Sequence, residues 1–170
     1  MTQKNEDVDW TDVDLDDDED TQKDKYLTFR IADDGYGIEI LYVTEIIGVQ
    51  KITEVPNTPD YVLGIINLRG TVIPVMDVRL RLSMDQKDFD DLTCIIVVNM
   101  EDTIVGLLVD EVQDVSEIPE SQMEPPPRVS KGEASRFMQG IGKTGDEVKL
   151  ILNVQKLLYD EKEEQDSEAA

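Results

Sequence analysis

The feature that most constrains the fold of this chain is an internal repeat. Tyr36-Gly37-Ile38-Glu39-Ile40-Leu41-Tyr42-Val43-Thr44-Glu45-Ile46 aligns at a shift of 69 residues with Val105-Gly106-Leu107-Leu108-Val109-Asp110-Glu111-Val112-Gln113-Asp114-Val115. The glycine, the apolar positions and the late acid coincide. Upstream, Leu27, Phe29 and Ile31 match Ile96, Val98 and Met100; downstream the shift becomes 76, pairing Gly64-Ile65 with Gly140-Ile141 and Val75-Met76-Asp77-Val78 with Ile151-Leu152-Asn153-Val154. A Pro-rich loop over residues 124–135 absorbs the difference, where insertion is cheap. Two copies are too few for a solenoid, so the repeat predicts a pseudo-symmetric pair of small units, the first over about 26–82 and the second over about 92–159. Chance similarity between two β-rich segments is the alternative.

Each unit reads mainly as β. Alternation at Leu27, Phe29 and Ile31, turn chemistry at Asp33-Asp34-Gly35 and a second run over Tyr36 to Ile40 predict a hairpin, and Thr93 to Met100 with Ile104 to Val109 predicts its counterpart. Further strands are expected at Gln50 to Val55, Val72 to Met76, Val112 to Ile118, Met138 to Lys143 and Val148 to Leu152. Helical turns are expected at Leu41 to Ile47, ended by Gly48, at Pro59 to Leu63, with Thr58 as cap, and at Val154 to Tyr159. Short strands at this density suit an all-β chain of small closed or nearly closed barrels.

Charge is concentrated at the ends. Residues 1–25 hold eleven acids against three bases and residues 160–170 six against one, so thirteen of the 23 net negative charges lie there. Such runs bury too little apolar surface to offset chain entropy, and residues 1–24 and 161–170 are expected as disordered acidic tails around a domain over 25–160. Without a phosphate-neutralising basic patch, nucleic-acid binding is disfavoured. No apolar run approaches ~18 residues and the N-terminus has no signal-peptide core, which predicts a cytoplasmic chain without direct membrane insertion. The chain has no histidine and one cysteine, Cys94. The usual general base and zinc ligand are missing, Cys94 in its apolar setting reads as a small buried hydrophobe, and no catalytic residue, cofactor or metal site is assigned.

Arg69 stands out, a lone charge inside Gly64-Ile-Ile-Asn-Leu-Arg-Gly-Thr-Val-Ile-Pro-Val-Met-Asp-Val78. Ile65, Ile66 and Leu68 before it and Val72, Ile73 and Val75 after it suit two buried strands, and Gly70 suits the short connection. Arg69 is therefore either an exposed hairpin arginine or a charge held at a recognition groove. Glu45 is placed to meet it, and since an exposed pair of this kind is worth only about 0–1 kcal/mol, orientation of a binding surface explains the pair better than stability does. Elsewhere, Asp12, Asp14, Asp16 and Asp18 alternate without the glycine and glutamate of a calcium loop. Trp10, among Val8, Val13, Leu15 and many acids, is either a short docking motif or a neutral tail residue.

These motifs, Tyr36-Gly37-Ile38-Glu39-Ile40, Val43-Thr44-Glu45-Ile46 and Gly64 through Gly70, continued by Val72-Ile73-Pro74-Val75, Val105 to Asp110 and Leu150 to Val154, resemble the bacterial chemotaxis adaptor family CheW over roughly residues 25–160. The resemblance implies two five-stranded SH3-like barrels and a non-catalytic adaptor. Its implied partners are the cytoplasmic tip of methyl-accepting chemoreceptors and the regulatory domain of the CheA histidine kinase, met in membrane-associated receptor arrays. It implies receptor contacts at Val43, Glu45, Gly64, Arg69 and Gly70 and kinase contacts at Val105, Gly106 and Val112, although core packing is an equal reading for the latter three. Glycines 37, 64 and 106 equally suit backbone geometry. Rival readings are a CheV-like protein, a stand-alone kinase-regulatory-domain-like peptide-binding scaffold, and a metal-binding carboxylate protein.

Overall fold

The computed structural model describes residues 22–126 and 136–159. The expected tails apart from residues 22–24, Trp10, the aspartate alternation and most of the Pro-rich loop lie outside them; Asp24, expected in the tail, is held in place, its carbonyl accepting from Ile118 N at 2.7 Å. The chain runs β1 (Lys25–Ile31), β2 (Asp34–Glu39), a 3-10 turn (Ile40–Tyr42), β3 (Val43–Gly48), β4 (Val62–Leu68), β5 (Thr71–Asp77), α1 (Val78–Arg81), β6 (Cys94–Met100), β7 (Thr103–Val109), β8 (Glu111–Glu117), a 3-10 turn (Glu120–Gln122), β9 (Met123–Glu124), β10 (Met138–Thr144), β11 (Glu147–Leu152) and α2 (Val154–Tyr159).

The strands form a six-stranded sheet, β8-β1-β2-β11-β10-β9, and a five-stranded sheet, β3-β6-β7-β5-β4. The repeat maps one onto the other strand by strand: β3 onto β8, β6 onto β1, β7 onto β2, β5 onto β11 and β4 onto β10. Each half of the sequence lends its partner a hairpin. β1–β2 pairs with strands of the second half, through β8 and a parallel register with β11, while β6–β7 pairs with β3 and, in parallel, with β5. The two sheets are therefore not coextensive with the two sequence repeats.

Alternation along the exchanged hairpins explains the core. Leu27, Phe29 and Ile31 from β1 and Ile96, Val98 and Met100 from β6, the positions that match in the repeat, are all buried in one central cluster. The other face of β6 supplies Ile95 and Val97 to a cluster with Ile66, Ile73 and Val75, and Tyr26 of β1 joins Ile118 and Ile151 in a third. The repeated glycine serves this arrangement: a Cβ on Gly106 would lie 2.7 Å from Ile95 Cγ2, and one on Gly37 3.0 Å from Ile151 Cδ1.

Three expected elements differ. Leu41 to Ile47 is helical only over Ile40–Tyr42 and then becomes β3, because β-branched Val43, Thr44, Ile46 and Ile47 favour an extended backbone. Pro59 to Leu63 makes a single turn, Val62 N donating to Pro59 O at 3.0 Å, before Val62 enters β4. Within Gln50 to Val55 only Thr53 pairs, bridging Ile65.

α1 carries two ties between the halves. Asp77 caps it, its carboxylate accepting from Arg79 N at 2.9 Å. The Arg79 side chain donates from Nε to Asp110 Oδ1 at 2.9 Å and from Nη2 to Oδ2 at 2.7 Å. Burial pushes the Asp110 carboxyl up, but the Arg79 guanidinium and the Ala32 N–H outweigh it and hold the group below its ordinary range. Arg81, only 7% exposed, donates from Nε to Leu157 O at 2.8 Å, with its guanidinium 4.1 Å from the Tyr61 ring centre and 4.8 Å from that of Phe137.

Candidate functional site

The turn that carries Arg69 is built by its neighbours. Leu68 pairs with Thr71, leaving Arg69 and Gly70 as a two-residue hairpin loop, both at positive φ (52° and 91°). Such loops match strand twist when both residues are left-handed, a conformation glycine adopts freely and arginine does not. Asn67 Oδ1 accepts from Gly70 N at 2.8 Å and so helps hold the turn. Its place in the loop, beyond the last paired residues, leaves the Arg69 side chain 68% exposed.

Arg69 Nη2 donates to Glu45 Oε2, forming a salt bridge. The expected meeting of these two residues is present, with Glu45 on β3 instead of a helical turn. Because β3 and β4 are the outer strands of the five-stranded sheet, this pair links one edge to the turn of the other. The corresponding positions of the six-stranded sheet, Asp114 and Gly145, make no such pair. The pseudo-symmetry is broken at the candidate site.

Val43 begins β3 after the 3-10 turn and is half-buried against the central core. Gly64 is buried at a bulge in the β4–β5 pairing, and a Cβ there would lie 2.2 Å from Thr53 O. Its need for glycine is therefore one of backbone packing. Val72, read as a buried strand residue, is 59% exposed, and Ile46 is 45% exposed, so the strands bearing the charged pair also present apolar surface. Only alternation resolved along the whole of β5 would have flagged Val72.

Val105 and Gly106 lie on β7 and are buried, and Val112 on β8 is half-buried against the same core. Val105 also borders an apolar groove with Tyr61, Pro74, Met76, Leu158 and Tyr159. Sequence reasoning missed Arg79, Asp110 and Arg81, since their partners are remote in the chain.

Chemically, the surface offers one cation, one anion and apolar area, which suits binding. Among the described residues no cluster of three or more His, Cys, Asp or Glu side chains is placed to hold a metal ion. Burial pushes the Cys94 thiol up, disfavouring the thiolate. No helix among the described residues is long and apolar enough to cross a membrane.

Comparison with known proteins places this geometry in a family. The model of the CheW-like domain matches residues 25–162, a span that takes in both sheets and every residue of the candidate surface. This chain belongs to the CheW-like family. It is similar to the chemotaxis protein CheW of Klebsiella aerogenes, 34% identical over 137 residues that make up 81% of this chain and 82% of that protein. The chemotaxis protein CheW of Bacillus subtilis is 39% identical over 104 residues, 61% of this chain and 67% of that protein. The solved structure of the scaffolding protein TtCheW from Thermoanaerobacter tengcongensis superimposes with a TM-score of 0.73 at 36% identity, over 79% of this chain and 91% of that one. Among CheW-like features, the mainly β architecture of two sheets agrees with the expected fold class; the acidic first 24 residues lie outside the matched span.

Proposed function

We propose that this chain is a non-catalytic adaptor that works in the cytoplasm and joins the cytoplasmic tip of chemoreceptors to the regulatory domain of the CheA histidine kinase, within membrane-associated arrays. The observation that carries the reading is the exposed Glu45–Arg69 pair, held by a strained turn on a CheW-like scaffold. A left-handed arginine costs about 1–2 kcal/mol, whereas an exposed ion pair returns about 0–1, so the arrangement makes better sense as a recognition device than as a stabilising one. An amphipathic receptor helix would set its apolar face near Val43 and the Gly64 backbone, while Glu45 and Arg69 fix its orientation. Gly70 permits the turn that presents Arg69. On the kinase side, Val105 and Gly106 would shape the surface from beneath, Val105 at the apolar groove, with Val112 next to them in the fold's second half.

Binding of a soluble receptor cytoplasmic fragment to the purified chain tests the receptor side. Arg69→Ala and Glu45→Ala are each expected to weaken it about tenfold, or about 1.4 kcal/mol, while shifting folding stability by less than about 1 kcal/mol. Kinase-domain binding should be unchanged. Folded variants that bind the receptor fragment as the parent does would remove these two residues from the interface.

A further inference from the structure

The repeat keeps its apolar residues on the face that each sheet turns to the central cluster, but not on the opposite face. There the five-stranded sheet buries Ile66, Ile73, Val75, Ile95, Val97 and Leu108, whereas the six-stranded sheet, among the described residues, buries Tyr26, Ile118 and Ile151 with Met123 packed beside them. The flanking strands carry much of the difference. β4 gives Leu63, Ile66 and Leu68 to its cluster, and the equivalent places on β10 hold Gln139, Gly142 and Thr144. On β3, Ile47 packs against the cluster, and its equivalent on β8 is Ser116.

A charge stands in the depleted face. Lys149 of β11 takes the place of Ile73, and its side chain is only 10% exposed. Gly35, the equivalent of Ile104, makes room for it: a Cβ there would lie 2.8 Å from Lys149 Cδ and 2.9 Å from Nζ. The ammonium finds weak partners. Nζ donates to Gln113 Oε1 at 3.2 Å and lies 3.2 Å from Glu147 Oε1, at the long end of hydrogen-bond distances. Both partners are exposed, Glu147 with 72% of its side chain, so water competes for them and their attraction does not offset the cost of taking the ammonium out of water. The five-stranded sheet shows that an isoleucine suits this place, so the lysine lowers stability where the architecture does not require it.

We propose that the six-stranded sheet is a yielding half of the fold: its flanks β8 and β10 open locally, with Lys149 easing that opening, while the five-stranded sheet that carries Glu45 and Arg69 stays closed. β1, β2 and β11 remain in place through their other faces, which fill the central cluster. Local opening of this kind draws on strands with few buried apolar contacts. It gives the chain one rigid surface and one adjustable one, and a partner that prefers β8 or β10 displaced draws on a state already populated at a low level.

Hydrogen exchange of the full native chain tests this, because each flank has its equivalent in the other sheet as an internal control. Corrected for intrinsic rates, amides of β8 and β10 should exchange about a hundredfold faster than those of β3 and β4. Lys149→Met keeps the stem, removes the ammonium and leaves no buried acceptor unpaired, since Gln113 and Glu147 face water. It should slow β8 and β10 about tenfold. Ile73→Val, which trims the five-stranded core, should speed β3 and β4 and leave β8 and β10 as in the parent, because opening of those flanks leaves that core closed. Equal protection of the two sheets would overturn the proposal, as would Lys149→Met with exchange of β8 and β10 unchanged or faster, which would make the lysine a clasp. Ile73→Val speeding both sheets alike would overturn it too, by making the chain one cooperative unit.

Discussion

Gly64→Ala is expected to lower the folding stability of this chain by about 3–5 kcal/mol, a large part of the roughly 5–15 kcal/mol that holds a domain folded. The new methyl group would lie 2.2 Å from Thr53 O and 2.7 Å from Thr53 C. These are backbone atoms, and they are fixed by a reciprocal bridge, Thr53 N to Ile65 O at 2.9 Å and Ile65 N to Thr53 O at 2.8 Å. Relief requires breaking that bridge, at about 1 kcal/mol per bond, and alanine must also hold the φ of +153°, at about 1–3 kcal/mol. Gly70 provides the control. Its φ is +91° but nothing lies within 4 Å of a built Cβ, so Gly70→Ala is expected to cost only about 1 kcal/mol. Urea unfolding of both variants checks the order. A Gly64→Ala chain as stable as the Gly70→Ala chain would mean that the β4 bulge yields easily.

Arg81→Met is expected to cost about 2–4 kcal/mol and to lower the melting temperature by about 10 °C. The arginine belongs to the first half and its partners belong to both. It donates to carbonyls in the last described turn of α2, Leu157 O at 2.8 Å and Lys156 O at 3.4 Å, a region where helix carbonyls call for donors from outside the helix. Its planar group also lies over the rings of Tyr61 and Phe137, contacts worth about 1–2 kcal/mol when shielded from water. Methionine keeps much of the volume and loses the donors. Arg81→Lys is expected to recover little, because an ammonium has neither the fork nor the flat face. Calorimetry of the three chains distinguishes this tie from simple filling of space: a methionine chain melting with the parent would assign Arg81 a packing role only.

The fold was legible where local pattern decides it. Alternation revealed β1, the Asp33-Asp34-Gly35 turn its partner β2, the repeat β6 and β7, and short Val- and Ile-rich runs β5, β8, β10 and β11, while the repeat matched Leu27, Phe29 and Ile31 with Ile96, Val98 and Met100, which share the central core. That Glu45 and Arg69 could meet was legible from their places in the first unit, but the contact itself was not, because an exposed hairpin arginine is satisfied by water as well. Nor was strand exchange. Which sheet a hairpin joins depends on remote pairings such as β2 with β11 and β5 with β7, and alternation within the hairpin is the same for either choice. The same remoteness hid Arg79 from Asp110 and Arg81 from Leu157, separated by 31 and 76 residues. β3 was misread because Gly48 resembles a helix stop, whereas the β-branched run before it settles an extended backbone.

The pseudo-symmetry also sharpens what the candidate surface is. Both sheets keep the repeated glycines and the buried apolar positions, because the core needs them twice. Among the described residues, the five-stranded sheet joins edge strand β3 to the β4–β5 turn through an exposed acid and base, whereas the exposed pair of the six-stranded sheet, Lys143 with Glu124, ties β10 to its neighbour β9. A feature present in one copy of a duplicated scaffold, and of little value to folding, points to a function outside the scaffold.

The most direct measurement for the account is whether one molecule of the chain holds both partners at once. A soluble receptor cytoplasmic fragment, the kinase's regulatory domain and the purified chain are mixed and the mass of the complex is determined by light scattering. The account predicts a species containing all three, which is absent when the chain is omitted and reduced for Arg69→Ala. Binding to neither partner, or binding in which each excludes the other, would contradict it.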